Sequence, residues 1–295
     1  MNRMPRLYDA HNHLQDERFG GQQATLVEQC RLIGVQAMVV NGACEDDWPE
    51  VLALARAYPE VVPSFGYHPW YVHQRSSEWL TRLRDYLELV PSAVGEIGLD
   101  RWKSDLPYEG QEEVFLAQWR LAAERNLPVS IHCLRAWGRL FELIRSHPGP
   151  TCGFLLHSYG GPAEMVQPLA ALGAYFSMPG YFAHSRKEPQ RKTFLQVPLE
   201  RLLLETDAPD QLLPPELVQY PITDPASGRP INHPANLAAI YAFAAELRGL
   251  TIEELAAHIE ANFYRLFGRI RPGKSGPAMH CTTNEAAANP KAPVT

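Results

Sequence analysis

Short apolar runs rich in β-branched residues recur roughly every 25 to 35 residues, with helix-like patterns between them. This alternation limits the fold more than any other feature of the chain. The runs are Leu7 to His11, Val35 to Asn41, Val61 to Gly66 and Val94 to Gly98, then Val129 to His132, Cys152 to His157, Ala174 to Met178 and Arg201 to Glu205. Strands that alternate with helices build a parallel sheet, and about eight of them close a barrel. The expectation is an α/β protein with a TIM (β/α)8 barrel. A doubly wound open sheet competes with it, but that fold usually carries a Gly-rich phosphate turn after its first strand. Here the first strand runs into His11 and His13, and Gly20-Gly21 comes too late.

The segments between the runs read as helices. Gln111 to Glu124 carries Val114, Phe115, Gln118, Leu121 and Ala122 at helical spacing, and Pro128 marks its end. Trp137 to Ile144 and Ala163 to Leu172 behave alike, the second closed by Gly173. Pro234 to Phe267 reads as two helices split near Gly249-Leu250-Thr251, with Thr251 and Glu254 spaced as a capping box. Pro214 to Pro230 is a long, proline-rich loop. From Gly268 the apolar periodicity fades. The expected organisation is one domain over 1–268 and a flexible C-terminal tail over 269–295.

At 295 residues and 45% hydrophobic content, the chain has material for a sizeable core. Its formal net charge of -6 argues against coating of duplex nucleic acid, which normally calls for a basic excess. It does not argue against taking one strand end into a small pocket whose field a bound metal dominates. The five cysteines include no Cys-x-x-Cys pair, so free thiols in a reducing compartment are expected. The N-terminus shows no signal-peptide apolar region and no run long enough to span a bilayer. The expected location is cytoplasmic, without a membrane partner.

The chemistry sits at the ends of the apolar runs. Asp9-Ala10-His11-Asn12-His13 closes the first strand. Residues two apart on a strand share a face, so His11 and His13 can aim at one ion, with Asp9 close enough to orient a ring. Glu96 interrupts an apolar run, where an unpaired carboxylate would be costly. The fifth run ends in His132, the sixth in His157, and Asp207 follows the eighth. In a barrel the carboxyl ends of all strands meet at one mouth, so these side chains converge. Six imidazole and carboxylate groups suit two divalent ions, with Zn²⁺, Mn²⁺, Ni²⁺ or Mg²⁺ as the choices.

As a set, these landmarks resemble the TatD family of metal-dependent hydrolases, within the amidohydrolase-type barrels. The matching segments are Asp9 to His13, Gly66-Tyr67-His68-Pro69-Trp70, Gly95 to Asp100 and Gln111 to Gln118. They continue with Ile131-His132, Leu156 to Gly161, Glu205 to Pro209 and Asn232 to Asn236. The resemblance runs in order from Tyr8 to about Gly268. It implies that His11, His13 and Asp207 hold one metal, that His132 and His157 hold the other, and that Glu96 lies between them. It also implies a DNase, with 3′-5′ exonuclease activity as in several members. Two segments depart from the family pattern. Asp100 is followed by Arg101-Trp102-Lys103 where Asp-Tyr is common, and His132 by Cys133-Leu134-Arg135 where Ser-Arg is common. Both flank the ligands and bear on substrate preference.

On this reading a water activated between the metals attacks the substrate, Glu96 bridges the ions and Asp207 accepts the water's proton. His68 at the end of the third strand contacts a phosphate oxygen or supports the site, and Arg135 pairs a phosphate. Arg101, Lys103, Arg186, Lys187, Arg191 and Lys192 lie on the rim that would meet an anion. The substrate is DNA, as a single strand or strand end. The rival is a small anionic molecule whose amide, lactone or phosphate ester the same groups would hydrolyse, since fold and metals do not choose the bond. A third reading, a binding protein with structural metals, sits poorly with two carboxylates placed to activate water.

Overall fold

The structure, a computed structural model, describes residues 4–103 and 105–270. Its first half runs β1 (Leu7–Asn12), α1 (Gln23–Leu32), β2 (Val35–Asn41), α2 (Trp48–Ala57), β3 (Val61–Phe65), α3 (Trp79–Leu89), β4 (Ala93–Asp100) and α4 (Gln111–Arg125). The second runs β5 (Val129–Leu134), α5 (Trp137–Ser146), β6 (Phe154–Leu156), α6 (Val166–Ala171), β7 (Ala174–Pro179), α7 (Glu188–Phe194) and β8 (Leu202–Glu205). A short hairpin of β9 (Ile222–Thr223) and β10 (Pro230–Ile231) precedes α8 (Leu237–Arg248) and α9 (Ile252–Phe267). The eight long-range strands pair in parallel in chain order, β1 to β8. They are buried almost throughout, as strands covered by helices on one side and a packed interior on the other must be.

The barrel is drawn together at the β1/β8 seam. Asp207 N donates to His11 O (2.9 Å), and His13 N donates to Ala208 O (2.8 Å). Asp9 is the pin between the two chain ends: its carboxylate accepts from Thr206 N (2.9 Å) and Thr206 Oγ1 (2.5 Å). Further down, Tyr241 of α8 closes the seam. Its hydroxyl accepts from Tyr8 N (2.9 Å) and donates to Tyr8 O (3.2 Å). An orphaned buried N–H and C=O on β1 are thereby satisfied.

The expected strands are all present, with ends displaced by a residue or two. The helix expected over Ala163 to Leu172 is instead a 3-10 turn (Ala163–Met165) leading into a short α6. Pro168 sits in the first turn of α6, where no N–H is needed, but a helix begun at Ala163 would require its N–H to bond to Glu164 O, which proline cannot supply. The split between α8 and α9 falls at Gly249, in the left-handed region at φ 64. Both bonds of the Thr251–Glu254 capping box are made. The 214–230 loop contains the β9–β10 hairpin, which its proline content concealed. Of the expected tail, Arg269 and Ile270 belong to a 3-10 turn with Ile270 buried, and 271–295 lie outside the described residues. Cys30, Cys44, Cys133 and Cys152 are free thiols. Among the described residues no helix is long and apolar enough to cross a membrane.

Helix α4 shows how the sequence supports the mouth of the barrel. Gln111 and Gln118 lie on its buried face, where a polar side chain must be fully paired. Gln118 Oε1 accepts from Tyr67 N (2.7 Å) and its Nε2 donates to Tyr67 O (3.2 Å). Gln111 repeats the arrangement on Asp100, accepting from its N (2.8 Å) and donating to its O (3.1 Å). Two side chains two turns apart thus fix the backbone just past β3 and at the end of β4.

Candidate metal centre

The polar residues at the strand ends converge on Glu96. This carboxylate is 2% exposed, and its two oxygens face different groups of imidazoles. Oε2 lies 3.3 Å from His11 Nε2 and 3.2 Å from His13 Nε2, and each of those nitrogens is 3.6 Å from Asp207 Oδ1. Oε1 lies 2.8 Å from His157 Nε2, 3.1 Å from His132 Nδ1 and 3.4 Å from His68 Nε2. The six residues expected as ligands are therefore all brought together, with His68 as a seventh side chain.

Local backbone explains several placements. Gly98 of β4 pairs with His132 of β5 at φ +154, and a Cβ there would stand 1.9 Å from His132 O. Only glycine lets the two strands approach closely enough to put Glu96 and His132 side by side. Asp207 follows β8 in a left-handed conformation at φ 51. Its turn is braced by Asn232, whose N donates to Pro209 O (2.8 Å) and whose Nδ2 donates to Thr206 O (2.8 Å). The Asn232–Asn236 segment thus works through backbone support.

The far side of each ring decides which nitrogen faces the centre. His13 Nδ1 donates to Asn41 O (2.8 Å). His11 Nδ1 meets Ser130 Oγ (2.8 Å) and the Asn41 side-chain amide (3.0 Å). His132 Nε2 lies 2.9 Å from Asp100 Oδ2, and His157 Nδ1 lies 3.7 Å from Glu205 Oε1. The inward nitrogens then confront one another: His11 Nε2 and His13 Nε2 are 3.3 Å apart, as are His132 Nδ1 and His157 Nε2. Glu96 Oε1 is buried without a hydrogen-bond partner. Ring nitrogens crowded against one another, around a carboxylate oxygen that no hydrogen bond satisfies, fit a set of donors for cations. Three groups have atoms close enough to serve one ion: His11 with His13 and Asp207, His11 with Glu96 and His157, and His68 with Glu96 and His132. His68 differs in one respect. Its Nδ1 accepts from Trp70 N (3.2 Å), so its Nε2 carries the proton and acts as a donor.

The charges respond to this crowding. Burial pushes the Glu96 carboxyl up, but His157, His68 and His11 outweigh it and hold it well below the usual carboxylate range. Burial, reinforced by His157, pushes His11 down to about 3. Burial also lowers His13, yet Glu96 and Asp207 prevail and raise it to about 9. Burial raises Asp207 to about 8 against the pull of His157 and His13. Burial takes His68 down to about 4.

Other expectations are corrected. Asp9 orients no ring: its oxygens are spent on His11 N, Asn12 Nδ2 and Thr206, because it lies at the seam. The basic run after β7 divides. Arg191 donates to Phe182 O and His184 O, and Lys192 pairs with Glu188 at 2.9 Å. Only Arg186 and Lys187 remain as rim cations, both over the Tyr181 ring. On the opposite loop Arg101 lies over Tyr108 and Lys103 over Trp70. Arg135 is exposed beside β5 at φ 55. A groove of about 200 Å³ lined by Gln22, Gln29, Tyr220 and His233 includes none of the convergent ligands.

Reading the sequence missed the residues behind the rings: Asp100, Ser130, Asn41 and Glu205. Glu205 is wholly buried and accepts from Ser158 N (2.7 Å), Ser158 Oγ (2.6 Å) and Ser177 Oγ. A carboxylate closing an apolar run was the available signal for Asp100 and Glu205, as a carboxylate interrupting one was for Glu96.

Comparison with known proteins agrees with this geometry. The family described as TatD related DNase matches residues 8–268. The chain is 31% identical over 265 residues to the uncharacterized metal-dependent hydrolase YjjV of Escherichia coli K12, covering 89% of this chain and 98% of that protein. It is 32% identical over 268 residues to the 3′-5′ ssDNA/RNA exonuclease TatD of the same organism, covering 89% and 99%. The crystal structure of E. coli YjjV superposes with a TM-score of 0.81 at 30% identity, over 90% of this chain and 99% of that one.

Proposed function

The chain belongs to the TatD family of metal-dependent hydrolases, and from that premise we propose that it cleaves phosphodiester bonds of single-stranded nucleic acid, working from a 3′ end, with two divalent ions. The observation that carries the reading is the division of Glu96, one oxygen turned to His11, His13 and Asp207 and the other to His132 and His157. A carboxylate so shared would reach both of two cation sites. The relative named as a 3′-5′ ssDNA/RNA exonuclease supplies the substrate class.

In the proposed assignment His11, His13 and Asp207 hold one ion, His132 and His157 hold the other, and Glu96 spans both. Divalent ions at such a centre lower the pKa of water and offset charge on phosphoryl oxygens. The protein's own groups do the rest. Asp207 makes no side-chain hydrogen bond among the described residues, so its carboxylate can take the proton of the attacking water. His68, with its proton on Nε2, donates to a phosphate oxygen. Arg135 offers an exposed guanidinium beside β5 that can pair a phosphate from the rim.

The test incubates chelator-treated protein, alone and with Zn²⁺, Mn²⁺, Ni²⁺ or Mg²⁺, with 5′-labelled single-stranded DNA and RNA. Amide, lactone and phosphomonoester substrates are run in parallel. Metal-dependent shortening from the 3′ end is expected. Turnover of a lactone, amide or phosphomonoester with intact oligonucleotides would replace this reading with the small-molecule one.

A further inference from the structure

One buried carboxylate behind the centre has a role that neither the family match nor the ligand set assigns. Asp100 closes β4, is 3% exposed, and receives four donors, two on each oxygen. Oδ2 accepts from Trp70 Nε1 (2.6 Å) and lies 2.9 Å from His132 Nε2. Oδ1 accepts from Trp102 N (2.6 Å) and Lys103 N (3.3 Å). The Asp100 backbone is clamped in turn by Gln111.

We propose that Asp100 is a positioning residue: it holds the proton of His132 on Nε2, so that Nδ1 is the nitrogen presented to Glu96 and His157, and it ties that ring to the rim loop beginning at Arg101. The argument is one of donors and acceptors. An ionised carboxylate only accepts, and an indole N–H only donates. The nitrogen of His132 that meets Oδ2 must therefore carry the proton. In the neutral ring the other nitrogen keeps its lone pair, 3.1 Å from Glu96 Oε1 and 3.3 Å from His157 Nε2. His13 and His157 present Nε2 to the centre, so His132 is turned the opposite way round, and Asp100 is the acceptor that requires it. Histidines that hold metals commonly have such an acceptor behind them, and losing it typically weakens metal binding 10- to 100-fold.

The same carboxylate anchors the loop that distinguishes this chain from its family pattern. Trp102 and Lys103 give their backbone N–H groups to Oδ1, and Lys103 folds back so that Nζ lies 3.7 Å from the centre of the Trp70 ring. Trp70, the loop and His132 therefore share one anchor.

The inference rests on the reading of His132 as a metal ligand, but its central claim can be measured without metal. Long-range ¹H–¹⁵N spectra of histidine-labelled, metal-free protein at alkaline pH report which ring nitrogen is protonated, with His132 assigned from its absence in His132→Gln. A single Nε2–H tautomer is expected. In Asp100→Ala a mixture of tautomers is expected, together with metal affinity reduced roughly 10- to 100-fold in competition with a chromophoric chelator. Trp70→Phe leaves the carboxylate and should keep the Nε2–H tautomer. A proton on Nδ1 in the native protein would overturn the proposal, whether or not Asp100→Ala folds. So would an Asp100→Ala protein with native tautomer and affinity, or a Trp70→Phe protein that loses the tautomer. Native protein that takes up no metal yet shows the Nε2–H tautomer would overturn the two-ion reading alone.

Discussion

The imidazoles of His11 and His157 lie face to face, with centroids 4.0 Å apart and planes within 8° of parallel. One comes from β1 and the other follows β6, so the contact is made across the barrel mouth and not between neighbouring strands. Two charged rings could not lie so close without strong repulsion. Burial lowers His11 to about 3, whereas Glu96 and Glu205 hold His157 well above the ordinary histidine value despite its burial. One neutral ring stacked on one cationic ring is the outcome in the metal-free protein. A cation near Glu96 would take over the role of that bound proton.

Removing the ligands of one ion should leave the other in place. In His132→Ala/His157→Ala the group of His11, His13, Asp207 and Glu96 is intact, so metal content measured by plasma mass spectrometry should fall by about one ion per chain. Hydrolysis should be lost with it. Metal content and turnover equal to those of the native protein would reject the assignment.

Asp207→Asn separates folding from chemistry. Asparagine tolerates the left-handed backbone at φ 51, so the turn after β8 should survive. One oxygen also remains to face His11 and His13. The charge and proton affinity of the carboxylate are lost, and kcat should fall on the order of 10²- to 10⁴-fold with part of the metal retained. A rate near that of the native protein would remove Asp207 as the proton acceptor.

The barrel and its six convergent residues were legible because each depended on local pattern. β-Branched runs mark strands, and a His, Glu or Asp at the end of a run lands at the mouth once the strands are parallel. What could not be read was partnership across the chain. Asp9 sits beside His11 in sequence but bonds to Thr206, 197 residues away, because β1 closes on β8. Asp100 reaches His132 only because β4 pairs with β5. The basic run after β7 looked uniform, yet Arg191 turned inward to the carbonyls of Phe182 and His184. Charge counts do not show which cations the backbone will claim.

The two glutamines of α4 allow stability and site to be separated. Gln118→Leu keeps the volume but leaves Tyr67 N–H and C=O buried without partners, which should cost on the order of 3 kcal/mol in urea unfolding. Gln111→Leu should cost a similar amount. It should also weaken metal binding, because Gln111 holds the Asp100 backbone. Equal effects on metal binding from both variants would refute the division of labour between them.

His233 provides a pH dependence away from the metal centre. Its Nδ1 accepts from Ala235 N (2.9 Å) and its Nε2 donates to Gln29 Oε1 (2.7 Å), leaving no site for a second proton without breaking the Ala235 bond. Burial lowers it from 6.5 to about 4. Between these values the unfolded chain binds the extra proton and the folded one does not, so stability falls with pH across this window. The contribution is present above pH 6.5 and lost as pH drops through about 4. It amounts to at most about 3 kcal/mol. In His233→Gln, metal-free, the drop in unfolding free energy from pH 7 to pH 4.5 should be smaller than in the native protein. Parallel curves for the two proteins would show that His233 is protonated in the folded state as readily as in the unfolded chain.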